Sequence, residues 1–506
     1  MAFFKYNIIG GMNMTINLDV AEAQTRENRL GSITGYCGSI KDISKRLGGG
    51  NLCNGERCFN QGTLCNAGCA QGTVSGIIDA VQVNHAPIGC TAGAIGGNSV
   101  FKAMIREQGI DERNIVFVST DMNEQDTIFG ATQKLKDTVI KTYERYRPKA
   151  IFVSTSCVSG VIGEDITSTV DELTEELPIP VIPVFCEGFK TKIWASGFDA
   201  AFHAILTGIV KPPEKKTNVV NFINFFGSER KKITEIFAKF DVEPLFIPRG
   251  VTVERLSKIS ESIATVSICG TLGTYLGNGL EEQYGVPYVR TLHPHGIAGY
   301  EEWIRGLGKA IDKEKEVEEY IAKERLRIAP ELEEVKKKLK GLKAVIGMGP
   351  GFTLNYIRVL DELGIKVLWA SAWHLDPQYD HGREAAEYQY LIDNLADDVP
   401  FSVSDQQNYE VMNILQTLKP DIYLSRHPGT TVWAMKQGTA SIFVGDEYTA
   451  FGYDGILNFA YQILDTVTNR SLANSLRDHS KLPYTDWWLK QNHSVFLKSE
   501  EEKVNA

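Results

Sequence analysis

Cysteine is the residue whose distribution in this sequence most directly suggests chemistry. There are nine, at 37, 53, 58, 65, 69, 90, 157, 186 and 269, and five of them fall between residues 53 and 90. In a chain of 506 residues with no cysteine after Cys269, that asymmetry argues against a disulfide framework and for thiolate or metal chemistry. Buried apolar cysteines are the ordinary alternative for any one of them, but they do not explain the cluster. The spacing also rules out compact motifs. Cys65 and Cys69 do not form a CxxC pair, no second pair sits at zinc-ribbon spacing, and no ferredoxin-type CxxCxxC run occurs. Ligands so dispersed imply a cluster held between domains or between chains.

Three cysteines lie where a parallel sheet would deliver a ligand. Cys157 follows the apolar run AIFVSTS, Cys269 ends ATVSIC, and Cys90 closes VNHAPIGC after a stretch, GIIDAVQ, that reads as helical. In open α/β sheets ligands bind beyond the carboxyl ends of strands. Adjacent glycines let backbone amides approach a bulky inorganic group.

The elements that must position these residues are legible as near-continuous Val/Ile/Phe runs separated by helix-length segments. They lie at 150–155, 181–185, 218–226, 264–269, 343–349, 365–371, 421–425 and 440–445. Such runs are the pattern of parallel strands covered on both faces. The fold class expected is α/β, with three doubly wound, Rossmann-like modules. The divisions expected are an irregular N-terminal arm (1–49) and modules at 50–212, 217–308 and 341–480. A charged helix (309–340) with a kink or restart at Pro330 links the last two, and an aromatic tail (481–506) follows.

A formal charge of −10 disfavours nucleic acid or an anionic membrane as partner. No apolar run reaches the roughly 20 residues of a membrane span, so cytoplasm is the expected compartment. No GxxxxGK[ST] loop is present, so ATP, if used, is hydrolysed by another protein. GMGPGF (347–352) lacks the glycine spacing of a dinucleotide fingerprint.

Four segments carry a family resemblance: CNAGCAQGTVSGIIDAVQVNHAPIGC (65–90), STSCVSGVIGED (154–165), CEGFKTKIWASG (186–197) and SICGTLGTYLGNGLEEQYGVPYV (267–289). In this order they resemble the cluster-binding segments of the nitrogenase component 1 α subunit. The resemblance implies that Cys65, Cys90 and Cys157 are this chain's ligands to an eight-iron, seven-sulfide P-cluster shared with a β-type subunit. It also implies that Cys269 anchors a second iron–sulfur cofactor, that Cys186 is structural, and that an α₂β₂ heterotetramer works with a homodimeric ATP-hydrolysing iron protein. Cys37, Cys53, Cys58 and Cys69 have no family counterpart.

The departures from the family pattern are as informative. The histidine that binds the far end of the family's cofactor is replaced by Phe451 in EYTAFGYDG (447–455). The glutamine and histidine that follow Cys-Glu-Gly-Phe correspond to Trp194 and Phe198, and a cofactor-facing arginine falls near Phe352. Imidazole, amide and guanidinium groups thus read as exchanged for aromatic pocket lining. Such a pocket disfavours molybdenum and homocitrate, and with them dinitrogen reduction; the resemblance then implies an all-iron carbide cofactor (eight iron, nine sulfide). His374, His427, Glu447 and Tyr448 are the further catalytic candidates, with His293 and His295 nearby.

Within the superfamily the chain most resembles the α-type subunit of methylthio-alkane reductase, an anaerobic enzyme of sulfur metabolism that cleaves small thioethers to methanethiol and a hydrocarbon. The alternative is a cofactor-assembly scaffold, which also keeps the cysteine and lacks the histidine. A tetrapyrrole reductase of the same superfamily fits less well, because Cys269 is present.

Overall fold

The computed structural model describes residues 16–48, 65–92, 96–225, 229–378, 386–404 and 408–492. Cys53, Cys58 and Phe496 lie outside the described residues. Three sheets are formed among the described residues. The first contains β2 (Ala80–Asn84), β3 (Phe117–Ser119), β4 (Ala150–Ser154) and β5 (Val181–Val184), in the order β3-β2-β4-β5. The second contains β6 (Val219–Asn224), β7 (Glu243–Pro248) and β8 (Ala264–Ser267), in the order β7-β6-β8. The third contains β9 (Lys343–Met348), β10 (Lys366–Ala372), β11 (Pro400–Ser404), β12 (Ile422–Ser425) and β13 (Ala440–Phe443), in the order β11-β10-β9-β12-β13. The pairings within these strands are all parallel. This is the α/β architecture expected, and its cause is visible in burial: every residue of β4 is buried, so nothing selects an alternating pattern.

In each sheet the strand order reverses once: between β2 and β4, between β6 and β8, and between β9 and β12. At such a switch point the two flanking connections leave in opposite directions and open a crevice at the carboxyl ends of the strands. The segments that follow these strands are therefore the ones to search for a site.

Three local expectations need correction. GIIDAVQ is not helical: the helix ends at Val74 and the segment runs into β2. Residues 16–48 are not an irregular arm. They hold helices Arg26–Leu30 and Ile40–Gly48, and β1 (Gly35–Ser39), which pairs antiparallel with β11 from Gly35 opposite Ser404 to Ser39 opposite Pro400. The charged helix Glu314–Leu339 is continuous through Pro330. Leu326, whose carbonyl loses the proline's missing N–H, is exposed, so water can satisfy that carbonyl. In the tail, Trp488 is buried in its own chain and Tyr484 packs edge-on to Trp433 at 5.6 Å, while Trp487 stays exposed.

Candidate functional site

Cys90 and Cys157 flank the switch point of the first sheet. Cys90 follows β2 within helix Ile88–Ala92, and Cys157 follows β4 as the first residue of helix Cys157–Ile162, whose start is capped by Ser156. Cys65 precedes helix Asn66–Val74. All three are free, exposed thiols, and all three line one cavity of about 430 Å³. They are close enough to interact: burial raises the Cys90 pKa, and Cys65 and Cys157 raise it further. Gly188 sits between two of them. A Cβ there would lie 3.4 Å from Cys157 Sγ and 3.3 Å from Cys65 Cβ, so a side chain would intrude on the space the thiols share.

Among the described residues no three His, Cys, Asp or Glu side chains converge tightly enough for a single metal ion. Thiols spread around a cavity suit a polynuclear cluster instead, in which each thiolate takes a different iron. Exposed Ile88, Val161 and Phe189, each adjacent in sequence to the thiol-bearing turns, add an apolar margin of the kind that marks a partner surface.

The other cysteines differ. Cys186 follows β5, is fully buried, and donates its S–H to the Thr155 carbonyl at 3.5 Å; burial pushes its pKa up. Cys69 is buried in the helix that Cys65 precedes and is also pushed up by burial. Cys37 lies on β1, half-buried.

Cys269 follows β8, beside the second sheet's switch point, at the N-cap of helix Gly270–Tyr284. It is 5% exposed. Burial raises its pKa, while the amides of Leu272 and Thr271 and the charge of Arg426 favour its thiolate. A Cβ on Gly351 would stand 3.1 Å from its sulfur, so this glycine, in the turn after β9, keeps space open against the thiol. The glycines within the helix itself do something else: a Cβ on Gly273 or Gly277 would strike Ser267 or Tyr288, so they serve helix packing and not a cluster.

In the segments that follow the strands, several buried donors are left without a hydrogen-bond partner. They include Arg426 Nη1, Arg249 Nε, Trp194 Nε1, Thr271 Oγ1 and both ring nitrogens of His374. Unpaired buried donors are costly, and their prevalence here matches an anionic, sulfide-rich group as occupant. Donor chemistry, the thiol and the space beside Gly351 all fit an iron–sulfur cofactor.

The aromatic wall is continuous. Trp194 meets Phe198 edge-on at 5.5 Å, and Phe198 meets Phe225 at 5.9 Å. Arg249 lies over Phe225 at 4.8 Å, its pKa lowered to about 10 by burial. These four residues line the same cavity as the three exposed thiols. Phe352 and Phe451, expected as lining, are not part of it. Phe352 lies beneath Arg426 instead. Phe451 packs against Tyr300 at 5.4 Å, Tyr448 at 5.6 Å and Trp303 at 6.0 Å, at the N-cap of helix Gly452–Thr468. Its neighbour Ala450 holds φ at 61°, a left-handed conformation uncommon for alanine.

The histidine candidates separate by what their nitrogens already do. His295 Nε2 donates to the Glu447 carbonyl at 2.8 Å and Nδ1 accepts from Asn355 at 3.2 Å; burial lowers its pKa to about 3, so it stays neutral. His293 contacts Glu387 through Nδ1. His427 caps helix Pro428–Lys436 by accepting from the Thr430 amide. That cap occupies Nδ1 and makes His427 a structural residue first. His374, after β10, is buried, stands edge-on to Trp194 at 5.9 Å, and has both nitrogens unengaged, with Nε2 3.5 Å from Asp376.

Glu447 is buried and its carboxylate accepts from the Phe225 amide at 2.8 and 2.9 Å. The Tyr448 hydroxyl accepts from Asn224 at 3.0 Å; burial, then the Glu447 charge, push its pKa well up. Arg426, Arg249 and Phe225 went unnoticed in the sequence. Each directly follows a strand (β12, β7 and β6); applying the strand-end rule to every residue type would have found Arg426 and Phe225, whereas Arg249 follows a strand that the sequence pattern does not reveal.

Residues 65–468 match the nitrogenase component 1 type oxidoreductases. The chain belongs to that family. It is 27% identical over 462 residues to the nitrogenase molybdenum-iron protein alpha chain of Methanosarcina barkeri, covering 79% of this chain and 86% of that one. From the same organism, the nitrogenase iron-molybdenum cofactor biosynthesis protein NifE is 28% identical over 412 residues, covering 76% and 84%. Identity therefore does not separate a catalytic chain from an assembly protein. The solved structure of nitrogenase Cp1 at pH 5 superposes with a TM-score of 0.69 over 84% of this chain and 93% of that one, at 23% identity, and shows the shared fold. Among the described residues no helix is long and apolar enough to cross a membrane.

Proposed function

We propose that this chain is the catalytic α-type subunit of a nitrogenase-like reductase that cleaves carbon–sulfur bonds in small thioethers. The observation that carries the reading is the single cavity lined by Cys65, Cys90 and Cys157 together with Trp194, Phe198 and Phe225. Donor-lined thiol chemistry there adjoins an apolar wall suited to a neutral organic molecule.

In this reading Cys65, Cys90 and Cys157 would hold a P-cluster completed by a β-type subunit, and Cys269 would hold the second cofactor. When bound, these groups supply low-potential electrons delivered by an ATP-hydrolysing iron protein. The aromatic residues exclude water and take the alkyl groups of the thioether. His374, with free nitrogens beside Trp194, is the chain's candidate to hold a proton at the cavity. The overall change takes two electrons and two protons: the C–S bond breaks, and a C–H and an S–H bond form. Phe451 brings no donor atom to a heterometal, which supports a cofactor of iron alone.

The competing reading is an assembly scaffold, favoured by the equal identity to the biosynthesis protein. Against it stands the enclosure of Cys269, at 5% exposure. A protein that hands its cluster on needs an open route.

The deciding experiment is gas chromatography of methane and methanethiol from dimethyl sulfide. It uses the anaerobically purified complex with its iron protein, ATP and a low-potential donor. Both products are expected, and metal analysis should find iron with little molybdenum or vanadium. No product above background, together with efficient transfer of the cluster to an apo-reductase, would establish the scaffold instead.

A separate expectation concerns the thiol trio. Cys157→Ala removes one iron ligand from a shared cluster and uncovers that iron to oxygen. The complex should lose the interfacial cluster's iron and its EPR signal. Unchanged iron and spectrum would remove Cys157 from the ligand set.

A further inference from the structure

The aromatic substitutions read from the sequence left the cofactor without its usual guanidinium. The fold returns one from a different strand. Arg426 follows β12, and Phe352 lies in the turn after β9. These strands flank the point at which the order of the third sheet reverses, so both segments face one crevice. The Arg426 amide bonds the Gly347 carbonyl, which continues the β9–β12 ladder one residue past its end. The guanidinium carbon then stands 4.0 Å from the centroid of the Phe352 ring, a close cation–π stack.

We propose that Arg426, laid on Phe352, is a cofactor-binding residue that supplies the cation facing the Cys269 thiolate and the anionic cluster it anchors. The inference rests on the reading of Cys269 as that anchor. Two observations support it independently of the stack. Nη1 is buried with no hydrogen-bond partner, so at least one strong donor waits for an acceptor that the protein does not provide. Gly351, one residue before Phe352, is the position that keeps space clear beside Cys269 Sγ. Phe352 is in turn backed by His295 at 5.1 Å, a neutral ring with both nitrogens engaged, so the shelf beneath Arg426 is fixed.

Glu447 offers the obvious rival role for Arg426. Its buried carboxylate attracts both Arg249 and Arg426, and a guanidinium present only to neutralise it would need no cofactor. The two roles differ in what removing both charges does. If Arg426 serves only Glu447, Arg426→Gln is repaired by Glu447→Gln. If Arg426 serves the cofactor, the double variant stays defective.

The test is metal analysis and EPR on the complex purified anaerobically with its partner subunit, for Arg426→Gln, Arg426→Lys, Arg426→Gln with Glu447→Gln, and Cys269→Ala. Loss of a residue that bonds a metal group from outside its ligand set weakens retention by roughly 10- to 100-fold. Arg426→Gln should therefore lose cofactor iron while the interfacial cluster remains, and the double variant should lose it equally. Arg426→Lys, which keeps the charge but not the planar fork, should retain more iron with a shifted cofactor signal. Should Arg426→Gln fail to assemble, the lysine variant decides alone, because an unaltered cofactor spectrum there overturns the proposal. Wild-type iron and spectrum in Arg426→Gln, or full rescue by Glu447→Gln, would also overturn it. Cofactor retained in Cys269→Ala would overturn the anchor reading itself, a separate result.

Discussion

Cys269→Ala is expected to reduce thioether cleavage to background and to strip the cofactor's iron, while the interfacial cluster and the fold persist. The thiol is the sulfur that stands beside Gly351, its residue occupies the N-cap position of a largely buried helix, and the amides of Leu272 and Thr271 stabilise its thiolate. His295 and His427 already spend nitrogens on structural hydrogen bonds, and Phe451 carries no donor. The substitution itself is mild. Typical point substitutions cost about 1 kcal/mol, against a stability of roughly 5–15 kcal/mol for a folded protein, so loss of fold does not account for loss of cofactor. Iron per complex, the EPR spectrum and circular dichroism separate the outcomes. Cofactor iron at wild-type level would show that another residue is the anchor.

Arg26→Met is expected to produce the largest loss of stability of any single substitution considered. Arg26 is wholly buried in helix Arg26–Leu30. Its Nε and Nη2 donate to Asp199 at 2.9 and 2.8 Å, Nη1 donates to Asp376 at 3.0 Å, and Nη2 also meets the Thr271 carbonyl. Arg29 adds a second donor to Asp199 at 2.9 Å, and Ser32 donates to Asp376 at 2.6 Å. One side chain thus ties helix Ser196–Gly208, the first turn after Cys269 and the segment after β10 to the N-terminal region. Removing it leaves buried carboxylates without their main counter-charge, at a cost of about 3–5 kcal/mol.

The pH dependence has a definite sign. Burial opposes ionisation of Asp376, but His374 and Arg26 outweigh it and hold the carboxyl well below its usual range. A depressed carboxyl contributes stability above its unfolded value, near pH 4. The gap between Arg26→Met and wild type should therefore be widest at neutral pH and narrow as pH falls below about 4. Denaturant midpoints at pH 7 and in acid measure this. A gap under about 1 kcal/mol at pH 7 would mean that the carboxylates find other partners.

The strands recognised from sequence were those with uninterrupted apolar runs. β2, β3, β7 and β11 escaped because they are short, broken by proline or serine, or ambiguous in period. The Ile77–Ile78–Ala80–Val81 spacing satisfies a helix as well as a buried strand. β1 was missed because GYCGS has no apolar periodicity of its own. It becomes a strand through its ladder to β11, which is a long-range fact.

What the sequence alone determined is the kind of chemistry and the family. Cysteines placed after apolar runs imply thiolates at strand ends, because the strand pattern is local and the strand-end rule follows from parallel topology. The tertiary structure decided which polar groups remain available. Among His293, His295, His374 and His427, only His374 has neither nitrogen in a geometrically formed hydrogen bond, its Nε2 facing Asp376 at 3.5 Å, and the guanidinium missing from the turn near Phe352 returns from Arg426, 74 positions later in sequence. Hydrophobic periodicity is written in neighbouring residues. The satisfaction of a donor or a charge depends on partners brought together only when distant segments of the chain fold against one another.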